Sequence, residues 1–161
     1  MADHVDKVLA QWARERPDLD VSPMAVLGRL SRLTRVVEAR QRVSFAQHGL
    51  DAASFDVLAT LRRAGSPYAL TPGQLARSAM VTTGAITQRL DRLEERGLVS
   101  RSPRPTDARS VLVTLSDAGR VVIDAALPDH LATEELLLGP VDAQQRIRLA
   151  ELLSTLLLPH E

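Results

Sequence analysis

Three arginines and two prolines fall within RSPRPTDARSVLVTL, residues 101–115, a stretch that interrupts an otherwise helix-patterned sequence. Proline stiffens the chain, and the alternation of polar and apolar residues in the second half indicates a β-strand. Guanidinium groups on a stiff hairpin suit phosphate oxygens and the negative potential of a narrow DNA minor groove. Arg104 and Arg109, near the expected tip, are therefore candidate DNA contacts. The alternative is a solvated turn whose charges contact nothing.

The stretch TTGAITQRLDRLEERG, residues 82–97, predicts an amphipathic helix directly before this hairpin. Its apolar face consists of Ile86, Leu90 and Leu93. At about 100° per residue, Thr87 and Gln88 point away from that face, and Thr83 is the expected N-cap. Glutamine pairs with adenine and threonine contacts several base edges, so these residues are candidates for major-groove contacts. Arg92 is a candidate phosphate contact; the alternative for this surface is an ordinary solvated helix face.

Helical patterns surround this region and must position it. In order, the predicted elements are a short helix ended by Pro17, a long helix from Pro23 to Gly49, a helix over 51–65, short helices over 74–79 and 83–96, the hairpin, and two long C-terminal helices, the first kinked at Pro128. The two short helices match a helix-turn-helix in size, and the hairpin makes it a winged one. The predicted fold is mainly α with a small β-hairpin wing.

Charge and apolar residues are unevenly distributed along the 161 residues. Residues 21–120 carry fifteen basic and eight acidic side chains, whereas the two ends together carry five and twelve. A positive centre suits a local anionic partner such as DNA. The C-terminal stretches LATEELLLGP and LAELLSTLLLP are richer in leucine than a monomer needs, which predicts a homodimer. We therefore divide the chain into N-terminal helices for dimerisation and for one wall of a ligand site (1–48), a winged helix-turn-helix DNA-binding domain (49–115) and C-terminal dimerisation helices (116–161).

Other classes of protein are disfavoured by what the sequence lacks. There is no cysteine, no apolar run of membrane-spanning length and no signal-like N-terminus, so we expect a cytoplasmic protein without membrane contact. No nucleotide-binding, zinc-protease or nucleophile motif is present, and the four histidines lack metal-ligand spacing. Asp91 and Glu94 fit a solvated helix face paired with nearby arginines. We expect no enzyme, no cofactor and no metal site.

The block TPGQLARSAMVTTGAITQRLDRLEERGLVSRSPRPTDARSVLVTLSDAG, residues 71–119, is similar to the MarR family of winged helix-turn-helix transcription regulators. It has the family's order of a helix, a recognition helix followed by GLVSR, a wing with Asp107 and Arg109 near its tip, and the closing VTLSDAG. The resemblance extends over nearly the whole chain. It implies a two-fold dimer that reads two operator half-sites about one helical turn apart.

The chain further resembles the urate-responsive branch of that family, which adds an N-terminal helix bearing a tryptophan. The ligand site of that branch has one tryptophan, one aspartate and two arginines, and the matching residues are Trp12, Asp56, Arg89 and Arg101. Such a set suits a planar or carboxylated anion, which the arginines bind and the indole stacks upon. Without ligand, Asp56 is expected to neutralise both arginines. The alternative is a purely structural ion-pair cluster beside a packed tryptophan.

These features together predict a sequence-specific transcription regulator, expected to be a repressor, whose DNA binding is weakened by urate or a related purine or carboxylate. One alternative is a regulator with no small-molecule effector. Another is a winged helix used for protein–protein contact, which the segregated positive charge disfavours. The sequence selects neither the effector nor the operator.

Overall fold

The structure of this chain is a computed structural model that describes residues 2–78, 86–104 and 107–160 and forms two compact units. We call residues 1–40 the N-terminal unit and residues 41–161 the C-terminal unit. The described elements are mainly helical, with one small antiparallel sheet, which confirms the predicted fold class. The predicted division at residues 48 and 115 stays a prediction.

The N-terminal unit pairs helix α1 (His4–Glu15) with the first part of helix α2 (Pro23–Gln47). Asp3 caps α1, since its carboxylate accepts the backbone N–H groups of Val5 and Asp6. Arg29 on α2 donates to Asp3 and Asp6 and so ties the two helices together by charge. Proline occupies the first position of α2 as predicted, where its missing N–H costs nothing.

Three helices of the C-terminal unit precede the wing. They are α3 (Ala52–Arg63), α4 (Pro72–Ser78) and α5 (Ile86–Glu95). Helix α4 begins at Pro72, and Thr71 caps it, as the TPGQLARSAM pattern predicts; Thr71 and Gln74 accept each other's backbone N–H groups. The predicted start of α5 at Thr83 lies outside the described residues. Gly49 and Gly97, predicted as helix ends, have φ of 66° and 68°, a conformation that lets the chain leave α2 and α5 without strain.

The sheet contains strands β1 (Ala69–Leu70), β2 (Val99–Arg104) and β3 (Asp107–Leu115), all antiparallel, with β3 in the centre. The β2–β3 hairpin is the predicted wing, and Val99 pairs with Leu115 at its base. The sequence analysis missed β1, which pairs with β3 through only two residues. A strand this short leaves no alternating pattern to detect.

Two long helices complete the chain, α6 (Asp117–Leu138) and α7 (Ala143–Leu157), and a 3-10 turn follows (Leu158–His160). Pro128, expected to kink α6, lies inside a continuous helix. In the part of the chain that the structure describes, no helix is both long and apolar enough to cross a membrane.

The core of the C-terminal unit is mostly aliphatic, with the stacked rings of Phe45 and Phe55 at a centroid distance of 4.3 Å, and it includes residues from α3 to α6 and from the sheet. Its fully buried members include Leu58, Leu61, Leu75, Leu90, Leu93, Val113 and Ile123. The N-terminal half of α6 closes this core and is fixed to α3 by Arg62, whose Nε lies 2.7 Å from Asp124 Oδ1. In contrast, α7 buries none of its residues, and Ile147 is 64% exposed.

A serine joins the base of the wing to the start of α6. The Ser116 hydroxyl accepts the Gly119 N–H at 2.9 Å and donates to the Gly97 carbonyl at 2.7 Å. The Ser116 N–H also donates to the Leu98 carbonyl. Gly119 is required here because a Cβ on it would lie 2.0 Å from that same carbonyl oxygen.

We expect Gly119→Ala to lower the free energy of unfolding by about 1–3 kcal/mol, since the added methyl forces α6 away from the wing base. Urea denaturation followed by circular dichroism measures the change. Gly73→Ala in α4 is the matched control, because its Cβ meets only Arg77 Nη1 at 3.7 Å. Equal stability of Gly119→Ala and wild type would contradict the close approach.

Candidate DNA-binding surface and effector residues

Helix α5 has one buried and one exposed face, as its apolar spacing predicts. Leu90 and Leu93 lie in the core, whereas Gln88 and Arg92 are exposed. This is the orientation that base and phosphate contacts require. The roles predicted for Gln88 and Arg92 remain predictions, since no nucleic acid is present.

The other predicted DNA contacts lie wholly or partly outside the described residues. Thr83 is among the residues that the structure leaves undescribed. Thr87 belongs to α5, Arg104 to β2 and Arg109 to β3, but their side chains lie outside the description. Their roles stay predictions from the sequence.

Arg101 fastens the wing to α5. Its Nη1 lies 2.7 Å from Asp91 Oδ1 and 3.6 Å from Glu94 Oε2, and its backbone N–H donates to Glu94 at 2.9 Å. The two carboxylates lie about one turn apart on α5, so both contact the same arginine of strand β2 and hold the wing against the helix. This agrees with the interpretation of Asp91 and Glu94 as arginine partners rather than catalytic acids.

Arg89 fastens α5 to the start of α3. Its Nη1 donates to Asp51, the residue that caps α3 by accepting the Ser54 N–H at 2.8 Å. The Arg89 side chain is only 19% exposed, and its buried Nε has no hydrogen-bond partner among the described residues. A buried guanidinium N–H without a partner is costly, so this atom is ready to donate to an acceptor that enters the site.

The electrostatic surroundings of Asp51 favour its charged form. Burial opposes ionisation, but the Ser54 N–H and the Arg89 guanidinium outweigh it and hold the pKa of this carboxyl below its ordinary value of 3.8. The Asp51–Arg89 pair is therefore ionised at neutral pH.

Asp56 lies on α3 with its side chain 13% exposed and a neighbouring cation on the same helix. Its Oδ1 is 4.0 Å from Nη1 of Arg63. Arg63 in turn donates to the Ser78 carbonyl at the end of α4. Asp56 is thus linked through Arg63 to the helix that precedes α5.

The structure therefore corrects the predicted set of ion pairs. The sequence analysis paired Asp56 with both arginines, whereas the described partner of Arg89 is Asp51, and Asp91 and Glu94 engage Arg101. Asp51 was recognised only as a helix start. Its capping role fixes where the carboxylate sits, but the choice of arginine depends on how α5 packs.

Trp12, the fourth predicted effector residue, belongs to α1 of the N-terminal unit. It is 43% exposed, so much of the residue is accessible. Its part in an effector site stays a prediction.

Comparison with known proteins decides the family. The MarR family model matches residues 48–110, which hold α3 to α5 and most of the wing. The transcriptional regulator PecS of Dickeya dadantii is 40% identical over 149 residues, 92% of this chain and 90% of PecS. This chain belongs to the MarR family. As a MarR-family protein it is a DNA-binding transcription regulator rather than an enzyme, with α4 and α5 as its helix-turn-helix.

Two solved structures share the fold and part of the sequence. A mutant of MarR from Escherichia coli in complex with operator DNA has a TM-score of 0.74 and 29% identity, covering 86% of this chain and 99% of that one. BpsR of Bordetella bronchiseptica, whose DNA binding is regulated by 6-hydroxynicotinic acid, has a TM-score of 0.74 and 26% identity, covering 81% and 91%. The fold of this chain thus occurs in a protein that binds operator DNA and in a protein whose DNA binding is regulated by a small organic acid.

We expect Asp51→Asn and Asp51→Ala to separate the two roles of this carboxylate. Asparagine keeps the cap but removes the charge opposite Arg89, which should cost at most about 1 kcal/mol for a half-exposed pair. Alanine also removes the cap and should cost about 1 kcal/mol more. Urea denaturation at pH 7 measures both, and Asp117→Asn, at a carboxylate 99% exposed, is the control.

The cost of Asp51→Asn should depend on pH in a defined direction. Because folding lowers the pKa of Asp51, its stabilisation is complete above its ordinary value of 3.8 and is lost as the pH falls through the lower folded value. The difference in free energy of unfolding between wild type and Asp51→Asn should therefore become smaller as the pH falls below about 4, measured by the same urea denaturation. A gap that widens on acidification would exclude the pair.

Proposed function

We propose that this MarR-family protein is a repressor that binds a pseudo-palindromic operator as a homodimer, and that a small anion such as urate, a related purine or a carboxylate releases it. The observation that carries the proposal is the position of the two candidate effector arginines. Arg89 is on the recognition helix and Arg101 is on the first strand of the wing, and each is held by carboxylates of its own chain. An anion that competes for them acts directly on the DNA-reading elements.

DNA binding is proposed to use α5 in the major groove and the wing along the minor groove. Gln88 with Thr83 and Thr87 would read base edges, and Arg92 would bind phosphate. Arg104 and Arg109 would enter or line the minor groove. The related MarR mutant of Escherichia coli is complexed with operator DNA, which supports DNA as the partner. The proposed location is the cytoplasm, because a regulator must reach the chromosome there.

Release by an effector is proposed to work through an exchange of partners. The anion takes the place of Asp51 on Arg89 and of Asp91 or Glu94 on Arg101, and the Nε of Arg89, which has no partner among the described residues, adds one more donor. The contacts that fix α5 to α3 and the wing to α5 are then lost together. A coupling free energy of about 1–3 kcal/mol would weaken DNA binding about 5–150-fold. Trp12 and Asp56 join the site on the family resemblance alone.

A second candidate is a regulator without an effector. The observation that favours it is that both arginines already have carboxylate partners at contact distance, so the cluster is complete as a structural brace. The regulation of BpsR by 6-hydroxynicotinic acid favours the effector-responsive form.

The homodimer is proposed from the uncovered apolar face of the C-terminal helices. Leu131, Leu152, Leu156 and Leu157 are each about half exposed, and contiguous apolar surface of this kind marks an interface. We expect Leu152→Glu together with Leu156→Glu to shift the protein from dimer to monomer in sedimentation equilibrium. A wild type that stays monomeric at micromolar concentration would contradict the proposal.

We expect Gln88→Ala and Arg92→Ala to affect DNA binding differently. Loss of a base contact at Gln88 should reduce discrimination against one base pair by about 1–3 kcal/mol, whereas loss of a phosphate contact at Arg92 should weaken all sequences alike and lower the salt slope by about 1. Gel shifts on the chain's own upstream DNA at several salt concentrations measure both. Arg148→Ala, on an exposed position of α7, is the control and should change neither.

We expect Arg89→Ala and Trp12→Phe to abolish release by the effector while the protein remains folded. The test is a gel shift with urate, xanthine and tricarboxylic acids added in turn to preformed complexes. Arg96→Ala is the matched control, because this nearby guanidinium donates to the Gly49 carbonyl and faces no carboxylate pair. Normal release from both variants would place the site elsewhere, and no release from wild type by any compound would favour the regulator without an effector.

A further inference from the structure

The N-terminal unit contains an open cavity, a groove of about 380 Å³ between α1 and α2, and most of the residues that line it are exposed. This volume lies in the range of about 300–1,000 Å³ that small-molecule sites occupy. None of the residues that line it belongs to the DNA contacts or to the four candidate effector residues. It is therefore a second place where a ligand can bind, separate from the proposed effector site.

One end of the cavity is aliphatic. Val5 and Val8 of α1 face Met24 and Leu27 of α2 across it. Gly28 lets the helices approach closely, since a Cβ there would already touch the Val5 methyl groups at 3.5 and 3.7 Å. Apart from the imidazole of His4, the described lining contains no aromatic ring, so the wall suits a chain of methylene groups better than a stacked aromatic ring.

The other end carries two exposed cations. Arg32 and Arg35 lie one turn apart on α2 and line the cavity, and neither has an ion pair or hydrogen bond among the described residues. Arg29, one turn earlier, differs because Asp3 and Asp6 hold it at 2.8 and 2.6 Å. The unit therefore supplies counter-ions to one arginine of this series and leaves the two at the cavity to an outside anion.

We propose that this cavity binds an amphipathic carboxylate with an unbranched aliphatic tail of medium length. The carboxylate pairs with Arg32 and Arg35, and the tail lies between the valines of α1 and the side chains of Met24 and Leu27. Along α2 the distance from Met24 to Arg35 is about 16 Å at 1.5 Å per residue, which accommodates a chain of about eight carbons. The charge of the two arginines excludes an amine head group, and the aliphatic wall disfavours a compact polar acid.

Isothermal titration calorimetry with submicellar sodium octanoate tests the proposal. Wild type should bind octanoate saturably, and 1-octanol and acetate, which lack the charge and the tail respectively, should bind at least about tenfold more weakly. Arg32→Ala combined with Arg35→Ala should weaken octanoate binding by a similar factor. Arg40→Ala is the matched control, since this exposed arginine of α2 lies outside the cavity, and it should leave the affinity unchanged.

A filling variant tests the tail end separately. Leu27→Trp should occupy the cavity and reduce octanoate binding, and it should fold because Leu27 is 59% exposed. Undiminished binding in both the arginine and the tryptophan variants, or no saturable binding to wild type, would overturn the proposal. The proposal would also be overturned if wild type did not bind octanoate and these variants lost the dimer in sedimentation equilibrium. The groove would then be an interface with a second copy of the chain. Operator binding measured on the same variants reports separately on the regulator function.

Discussion

The recognition helix is held in place by arginine–carboxylate contacts as well as by its leucines. Leu90 and Leu93 bury one side of α5, but burial alone leaves a short helix free to tilt or slide within the tolerance of its packing. Asp51 removes that freedom on the side of α3, and the grip of Asp91 and Glu94 on Arg101 removes it on the side of the wing. The same contacts lie at half-exposed carboxylates, so the charges that position α5 are also the ones at which the proposed effector would compete.

Leucines and charged residues alternate along α5 because its positions face different neighbours. Apolar residues three and four apart fix the helix on the core, which leaves the remaining positions to be acidic toward the wing, basic toward α3, or polar toward solvent. Arg89 and Asp91 are two residues apart and make contacts to different elements. A substitution at either one therefore affects a different neighbour of the same helix.

Most of the fold could be predicted from the sequence because short local patterns determine where its helices and the wing begin and end. Proline at helix starts, glycine at helix ends and leucine spacing located the helices, and two prolines with an alternating run located the wing. The ion-pair partners could not be predicted in this way. Asp51 caps α3 and Asp56 lies one turn inside it, and which of the two carboxylates meets Arg89 is decided by the packing of α5 on α3.

Ser116 connects the base of the wing to the start of α6. One hydroxyl both caps this helix and donates to the Gly97 carbonyl in the turn between α5 and the wing, so the start of α6 is bonded to the base of the wing. Helix α6 has 22 residues and is about 33 Å long. Its first half packs on the core and on α3, whereas its second half carries the exposed Leu131, Leu136 and Leu138. One continuous helix therefore runs from the base of the wing to these exposed leucines, so a shift in the packing of α6 on α3 would change the position of both.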